Sequence, residues 1–301
     1  MSTKSAIVFS FIGELPSYCL LAVKQLRYFY NGPIYFICDD LKYQEQLCEM
    51  GCTIIKYDSV IDTKFIEIVN KNIKRFAIVH SLGPRKLLFI RSFERFHLLN
   101  NLWKLNPTIQ DFIFIEIDNL VYSDPREWIL NDKPIQWMMD NDDRISTGIC
   151  IFRNSEYLNM LCNFYYEHID DSSVDFLSEM GANWKFTQKY EKYVHILPSY
   201  WNNLSNVGED LSKYSEYFML YNKIFDPSSY GVYLFNTDPI HGKTNYNKWG
   251  KLNLVRDNII IDWIIDESGR KIPHINLENK KYIPIQNLHI HSKNLHLGMS
   301  L

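Results

Sequence analysis

The densest candidate chemistry in this 301-residue chain is a pair of carboxylates set inside an apolar run. In DFIFIEIDNLVYSDP (111–125), four apolar residues lead into Glu116-Ile117-Asp118, Asn119 follows, and Leu-Val-Tyr resumes a strand before Ser-Asp-Pro turns it. Side chains at i and i+2 of an extended segment point the same way, so Glu116 and Asp118 share a face while Ile117 turns to the core. A divalent cation such as Mg²⁺ or Mn²⁺ takes hard oxygen ligands, commonly one or two carboxylates plus substrate phosphates. Acid pairs of this spacing are common. Placement raises this one, because carboxylates interrupting a buried strand must be paired, hydrated or metal-bound. A rival, Asp140-Asn141-Asp142, is a literal D-x-D, but it ends its strand and Asn-Asp-Asp-Arg reads as a polar turn. The metal is assigned to the first cluster.

The tail carries a third constellation. IQNLHIHSKNLHL (285–297) alternates Leu288 and Ile290 with His289 and His291. If the run stays extended, His289, His291 and Lys293 form one row. A neutral imidazole is a good ligand for a borderline metal, and a lysine is a point-charge partner for phosphate. A zinc site built from these with Cys48 and Cys52 would need a coincidence of folding and is set aside.

The elements that must position these groups alternate. AIVFSFI (6–12) is a continuous apolar run, as a buried parallel strand should be. Pro16 opens a helical pattern that Asn31-Gly32-Pro33 closes, and IYFIC, KYQEQLCEM and TIIKY continue as strand, helix and strand. A β-α-β-α-β run of this kind marks an open parallel sheet, whose ligands bind beyond the carboxyl ends of the strands. Ser10, Phe11, Asp39 and Asp40 lie there, and each also reads as a loop or cap residue. Residues 60–82 are weakly patterned. From Pro84 a strong helix is predicted, with Phe89, Phe93, Phe96, Leu99 and Trp103 as its apolar stripe and Arg91 and Arg95 on an opposite, solvated face. GICIFRN (148–154) reads as another strand.

Composition narrows the classes. Lys+Arg 32 against Asp+Glu 35 leaves a net charge of −3, which argues against phosphate-backbone binding and hence a nucleic-acid partner. No apolar run approaches the ~20 residues of a membrane span, and the N-terminal apolar segment is too short for a signal peptide. The six cysteines sit mostly in apolar segments and read as reduced core residues of a cytoplasmic protein. No Gly-x-Gly-x-x-Gly, Walker or Gly-x-Ser-x-Gly motif is present, so dinucleotide dehydrogenases, P-loop enzymes and α/β-hydrolases have no support. Without a repeat or low-complexity linker, one domain over 1–301 is the simplest reading. Oligomeric state is not legible.

The β-α-β half, the mid-chain acid pair and the returning His…Lys tail together resemble the GT-A glycosyltransferases. FIEIDNLVYSDP is similar to their metal segment, usually Asp-x-Asp, here with Glu116 first, which leaves Asp118 the safer ligand. YGVYLFNTDP (230–239) and LHIHSKNL (288–295) resemble segments of uncharacterised bacterial and large-virus sugar transferases. The resemblance implies an open, mostly parallel α/β sheet with a Rossmann-like N-terminal half. It divides the chain into a nucleotide-sugar half (1–125), an acceptor-side half (126–250) and a returning tail (251–301). It implies a nucleotide-sugar donor, a glycan or glycoconjugate acceptor, and Mn²⁺ or Mg²⁺ on Asp118, Glu116, His289 and His291. Ser10, Phe11, Asp39, Arg95, Ser292 and Lys293 would bind donor, with Asp39 at base or ribose and Lys293 at the leaving diphosphate. Glu179 in FLSEMGANWKF, then Asp226 in IFDPSSYG, are the candidate bases for an inverting reaction. Glu179 also reads as an acid favoured in a helix's first turn. Trp184, Tyr200 and Trp201 are candidates for stacking on an acceptor sugar. A nucleotidyltransferase and an inactive sugar-binding relative are the alternatives.

Overall fold

A computed structural model describes residues 5–76, 87–130, 133–237, 250–277 and 281–301. Pro84, the expected start of the strong helix, and Asp238-Pro239 of the 230–239 segment lie outside the described residues.

The N-terminal half runs β1 (Ser5–Phe11), α1 (Tyr18–Arg27), β2 (Ile34–Cys38), α2 (Gln44–Glu49), β3 (Cys52–Lys56), α3 (Thr63–Phe76), α4 (Leu88–Leu105), β4 (Asp111–Ile115) and β5 (Asn119–Val121). Next come β6 (Ile135–Asn141), β7 (Arg144–Phe152), α5 (Ser155–Asp170), α6 (Glu179–Lys189), β8 (Val194–Ile196), α7 (Ser212–Ser215), α8 (Phe218–Tyr221) and α9 (Ser229–Phe235). The tail adds β9 (Ile260–Ile265), β10 (Lys271–Leu277), β11 (Lys281–Pro284) and β12 (Asn287–His289).

Seven strands form an open sheet in the order β3-β2-β1-β4-β7-β6-β8. Neighbours pair in parallel except β7, which runs against both β4 and β6. The expected open, mostly parallel α/β sheet is what the chain forms. Registers Phe11↔Cys38 and Cys38↔Lys56 bring the carboxyl ends of β1, β2 and β3 level along one edge. Because β7 is antiparallel, its beginning reaches that same edge: Ile149 pairs with Ile115, and Glu116 N–H donates to the Gly148 carbonyl at 2.9 Å. Asp39 and Asp40 accept the Gly13 and Leu15 N–H groups, each at 2.8 Å, so they tie the loop after β1 to the end of β2.

Two helices differ from expectation. The weakly patterned stretch holds α3, a 14-residue helix whose Phe65 N–H is accepted by Asp62 and whose Phe65, Val69 and Phe76 are buried. The middle of helix α4 has no solvated face. Phe93, Glu94, Arg95, Phe96, His97, Leu98 and Leu99 are all buried, since α3 and α5 both pack on it. A stripe of apolar residues is enough to predict a helix, but it does not say how many neighbours cover the rest. The buried apolar side chains form one connected cluster from Ala6 to Leu295. No helix among the described residues is long and apolar enough to cross a membrane. All six cysteines are free, Cys48 exposed and the other five buried.

Two buried histidines make stability sensitive to acid. Burial, with Lys133 nearby, lowers His195 to about 4, and burial with Lys185 and Arg75 does the same for His168. Between pH 6.5 and 4 the unfolded chain binds protons the folded chain refuses. Their contribution is therefore complete above pH 6.5 and is lost as pH falls toward 4, at no more than about 1.4 kcal/mol per pH unit each. The urea midpoint should fall between pH 6.5 and 5. A midpoint unchanged down to pH 5 would contradict this.

Candidate metal and donor site

The acid pair sits at the edge formed by the carboxyl ends of the parallel strands. Residues 116–118 do not continue a strand, as the i, i+2 reading required. They form a tight turn between β4 and β5, closed by Asn119 N–H donating to the Glu116 carbonyl at 3.0 Å. The turn still points both carboxylates to one place, and Ile117 is buried as expected. The tail supplies the third group. Strand β12 pairs antiparallel with β5, and the register His289↔Asn119 delivers the imidazole to the turn. Its Nε2 stands 3.2 Å from Glu116 Oε2 and 3.4 Å from Asp118 Oδ1. The row His289–His291–Lys293 breaks: the chain turns at 290–293, with Lys293 N–H donating to the Ile290 carbonyl at 3.0 Å and Lys293 left-handed at φ 63°. A non-glycine residue so held costs about 1–2 kcal/mol. That turn brings the Lys293 ammonium into an ion pair with Asp118. His291 packs edge-on against His289, and Ser292 lies within the turn, its hydroxyl 3.5 Å from the Asn294 N–H.

Arg95 does not point outward to a donor phosphate. It is buried, ion-paired to Glu116 and, at 3.3 Å, to Glu179. Its Nη2 donates to the Thr147 hydroxyl at 2.5 Å, which donates to Glu179 Oε1 at 2.6 Å, where the Asn183 amide also donates at 2.8 Å. Glu179 stands in the first turn of α6, 2% exposed. Burial raises its pKa, against the lowering pull of Arg95 and Thr147. The Arg95–Glu179 pair therefore acts as a buttress that fixes Glu116. Thr147, at the start of β7, was not singled out from sequence. The signal is the polar Ser146-Thr147-Gly148 break in an apolar strand, legible only once β7 is known to run against β4.

Asp226 is enclosed rather than poised as a base. It is 0% exposed, its Oδ1 accepts the Ser228 and Tyr230 N–H groups, and its Oδ2 accepts those of Gly231 and His289, all at 2.7–2.9 Å. It ties the start of α9 to the tail strand. Tyr200 is fully buried and stacked on Trp201 at 4.0 Å, so of the two only Trp201, partly exposed, offers surface; Trp184 is partly exposed, with the Lys213 ammonium 5.6 Å from its ring centre. Ser10 and Phe11 stand half-buried at the end of β1 as expected. A cavity of about 110 Å³ lined by Cys38, Asp39, Leu41, Lys56, Tyr57 and Asp58 opens along the same edge.

The rival D-x-D splits. Asp140 is buried against Arg144 and the Ser228 hydroxyl, while Asp142 is exposed and bonds Lys251 and Tyr214. Loss of the Asp140 carboxylate should cost about 2 kcal/mol, less than a fully buried pair because Arg144 reaches solvent. Asp140→Ala should thus lower the urea midpoint yet leave Mn²⁺ binding unchanged. Loss of Mn²⁺ binding in a folded Asp140→Ala would return the metal to this cluster.

Glu116, Asp118 and His289 each offer a ligand atom, and all three atoms lie within 4.8 Å of one another. Two oxygens and an imidazole nitrogen so spaced suit an ion with ligands at about 2.0–2.6 Å. Burial opposes the charge on both sides of the site. Even so, Lys293 and His289 hold Asp118 well below the usual carboxylate range, and Asp118 and Glu116 carry His289 up to about 9. With His289 charged, Glu116, Asp118 and Glu179 face Arg95, Lys293 and His289, three charges against three, and a divalent cation would take the place of the imidazole proton.

No family model and no curated protein matches the sequence. Among the solved structures similar to it are three of low identity. The apo form of mouse xyloside xylosyltransferase 1 matches over 73% of this chain and 94% of its own, at 12% identity and a TM-score of 0.43. The glycosyltransferase GlyE of Streptococcus pneumoniae TIGR4 matches over 65% and 45%, at 13% identity and 0.40. The galactosyltransferase LgtC, with donor and acceptor sugar analogues, matches over 64% and 73%, at 11% identity and 0.39. At such values these stand as likenesses alone.

Proposed function

We propose that the chain is a metal-dependent glycosyltransferase of GT-A type, moving a sugar from a nucleotide-sugar donor to a glycan or glycoconjugate. One observation carries the reading. The turn after β4 and the tail strand, 170 residues apart, converge two carboxylates, an imidazole and a lysine at the edge where open α/β sheets bind ligands. Glu116, Asp118 and His289 would hold Mn²⁺ or Mg²⁺. When bound, that ion neutralises a diphosphate and steadies it as a leaving group.

The chain's own residues do the rest. Lys293, 39% exposed at its side chain, is the cation free to exchange Asp118 for a phosphate oxygen. Arg95 and Glu179 keep Glu116 aimed at the site. The cavity beside Asp39 and Tyr57 would take part of the nucleoside, and Trp201 and Trp184 the acceptor side. Glu179 holds Arg95, and Asp226 ties α9 to the tail strand.

The experiment is nucleotide release from a panel of UDP-, GDP-, CMP- and dTDP-sugars, each with Mn²⁺ and with EDTA. Release from one donor that stops in EDTA is the expected result. Binding with no release under any condition would favour the inactive sugar-binding relative. Pyrophosphate from a nucleoside triphosphate and a sugar phosphate would favour the nucleotidyltransferase.

A further inference from the structure

Metal-ligating histidines are usually oriented by a hydrogen bond at the ring nitrogen that faces away from the metal. In His289 that nitrogen, Nδ1, is buried and has no protein hydrogen-bond partner among the described residues. Nε2 meets the two carboxylates, so on the Nδ1 side packing sets the ring. On one side His291 stands edge-on, with centroids 4.4 Å apart and planes at 77°. On the Nδ1 side stands Gly148 of β7. A Cβ built there would lie 2.9 Å from His289 Nδ1, 3.3 Å from Cε1 and 3.1 Å from Asn119 Nδ2, inside the 3.5–4.0 Å of comfortable carbon contact.

Backbone conformation does not call for this glycine. Gly148 is not among the residues of positive φ, and it sits inside a strand, where glycine costs about 0.5–1 kcal/mol. The space it leaves is what matters. Asn119 is not free to yield that space: its Oδ1 accepts from the Asn287 amide at 2.9 Å, and Asn287 bonds both the N–H and the carbonyl of Asp226. An added methyl must move the imidazole.

We propose that Gly148 is a positioning residue for the metal site, its missing side chain being what lets the His289 ring stand against Glu116 and Asp118. The inference rests on the metal reading above. It is tested by Mn²⁺ calorimetry on the wild type, Gly148→Ala, His289→Ala, the double variant and Asp118→Ala, with unfolding followed in EDTA. Gly148→Ala should weaken Mn²⁺ binding about tenfold or more. In the His289→Ala background the same change should add nothing. Wild-type affinity in Gly148→Ala, or an equal loss with the ring already gone, overturns the proposal while leaving the metal site standing. A wild type that binds Mn²⁺ no better than Asp118→Ala overturns the metal reading and this inference with it. Should Gly148→Ala fail to fold, the double variant should fold again because the struck ring is absent. A double variant that also fails overturns the proposal.

Discussion

Asp118→Ala should abolish Mn²⁺-dependent donor binding and lower nucleotide release by roughly 10³-fold, the scale of losing a group that anchors charge in the reaction. Asp118 is the carboxylate shared by both halves of the site, meeting His289 Nε2 at 3.4 Å and the Lys293 ammonium on its other oxygen. On the proposed reading its loss would remove a metal ligand, and it leaves two cations facing each other. Stability should suffer less than binding, because the Lys293 side chain is 39% exposed and can hydrate. Asp118→Asn keeps the shape and serves as the second variant. A nucleotide-induced shift in melting temperature that survives both substitutions and still needs Mn²⁺ would exclude Asp118 as a ligand.

Asp226→Ala should be the most destabilising single change, at about 4–5 kcal/mol. Four backbone N–H groups, from Ser228, Tyr230, Gly231 and His289, would lose their acceptor in a place closed to water. Each such loss costs about 1 kcal/mol or more, against a total stability of about 5–15 kcal/mol. Gly231 explains why nothing can shift to compensate: a Cβ there would lie 2.1 Å from the His289 carbonyl oxygen, so α9 and the tail already touch backbone to backbone. Urea unfolding measures the effect, and a change under 1 kcal/mol would refute this role. Asp226→Asn separates structure from chemistry. If it folds, binds donor normally and yet releases no nucleotide, Asp226 returns as a base.

The sheet was legible because its strands are unusual. Apart from Ser10 and Asp111, AIVFSFI, IYFIC and DFIFI are apolar, which only a strand covered on both faces allows. Of the four groups singled out as candidate ligands, Glu116, Asp118 and His289 converge while His291 is not among the three, and they were legible for a related reason, being polar where the pattern demands apolar. What sequence could not show is which of these polar groups pair with each other. Arg95 looked solvated because a helix pattern records one covered face, while α4 is covered on several sides and the guanidinium spends its charge on Glu116 and Glu179. Lys293 reached Asp118 through a turn rather than along a strand, a left-handed step that no periodicity encodes. Helix α3 was missed although Asp62 and the spacing of Phe65, Val69 and Phe76 marked it.

Anomalous diffraction at the manganese edge, from crystals grown with Mn²⁺ and a nucleoside diphosphate, tests the metal site most directly. One strong peak is expected within about 2.0–2.6 Å of a carboxylate oxygen of Asp118, an oxygen of Glu116 and Nε2 of His289, with the diphosphate completing the shell. A peak between Asp140 and Asp142, or a bound nucleotide with no manganese at the turn after β4, would contradict it.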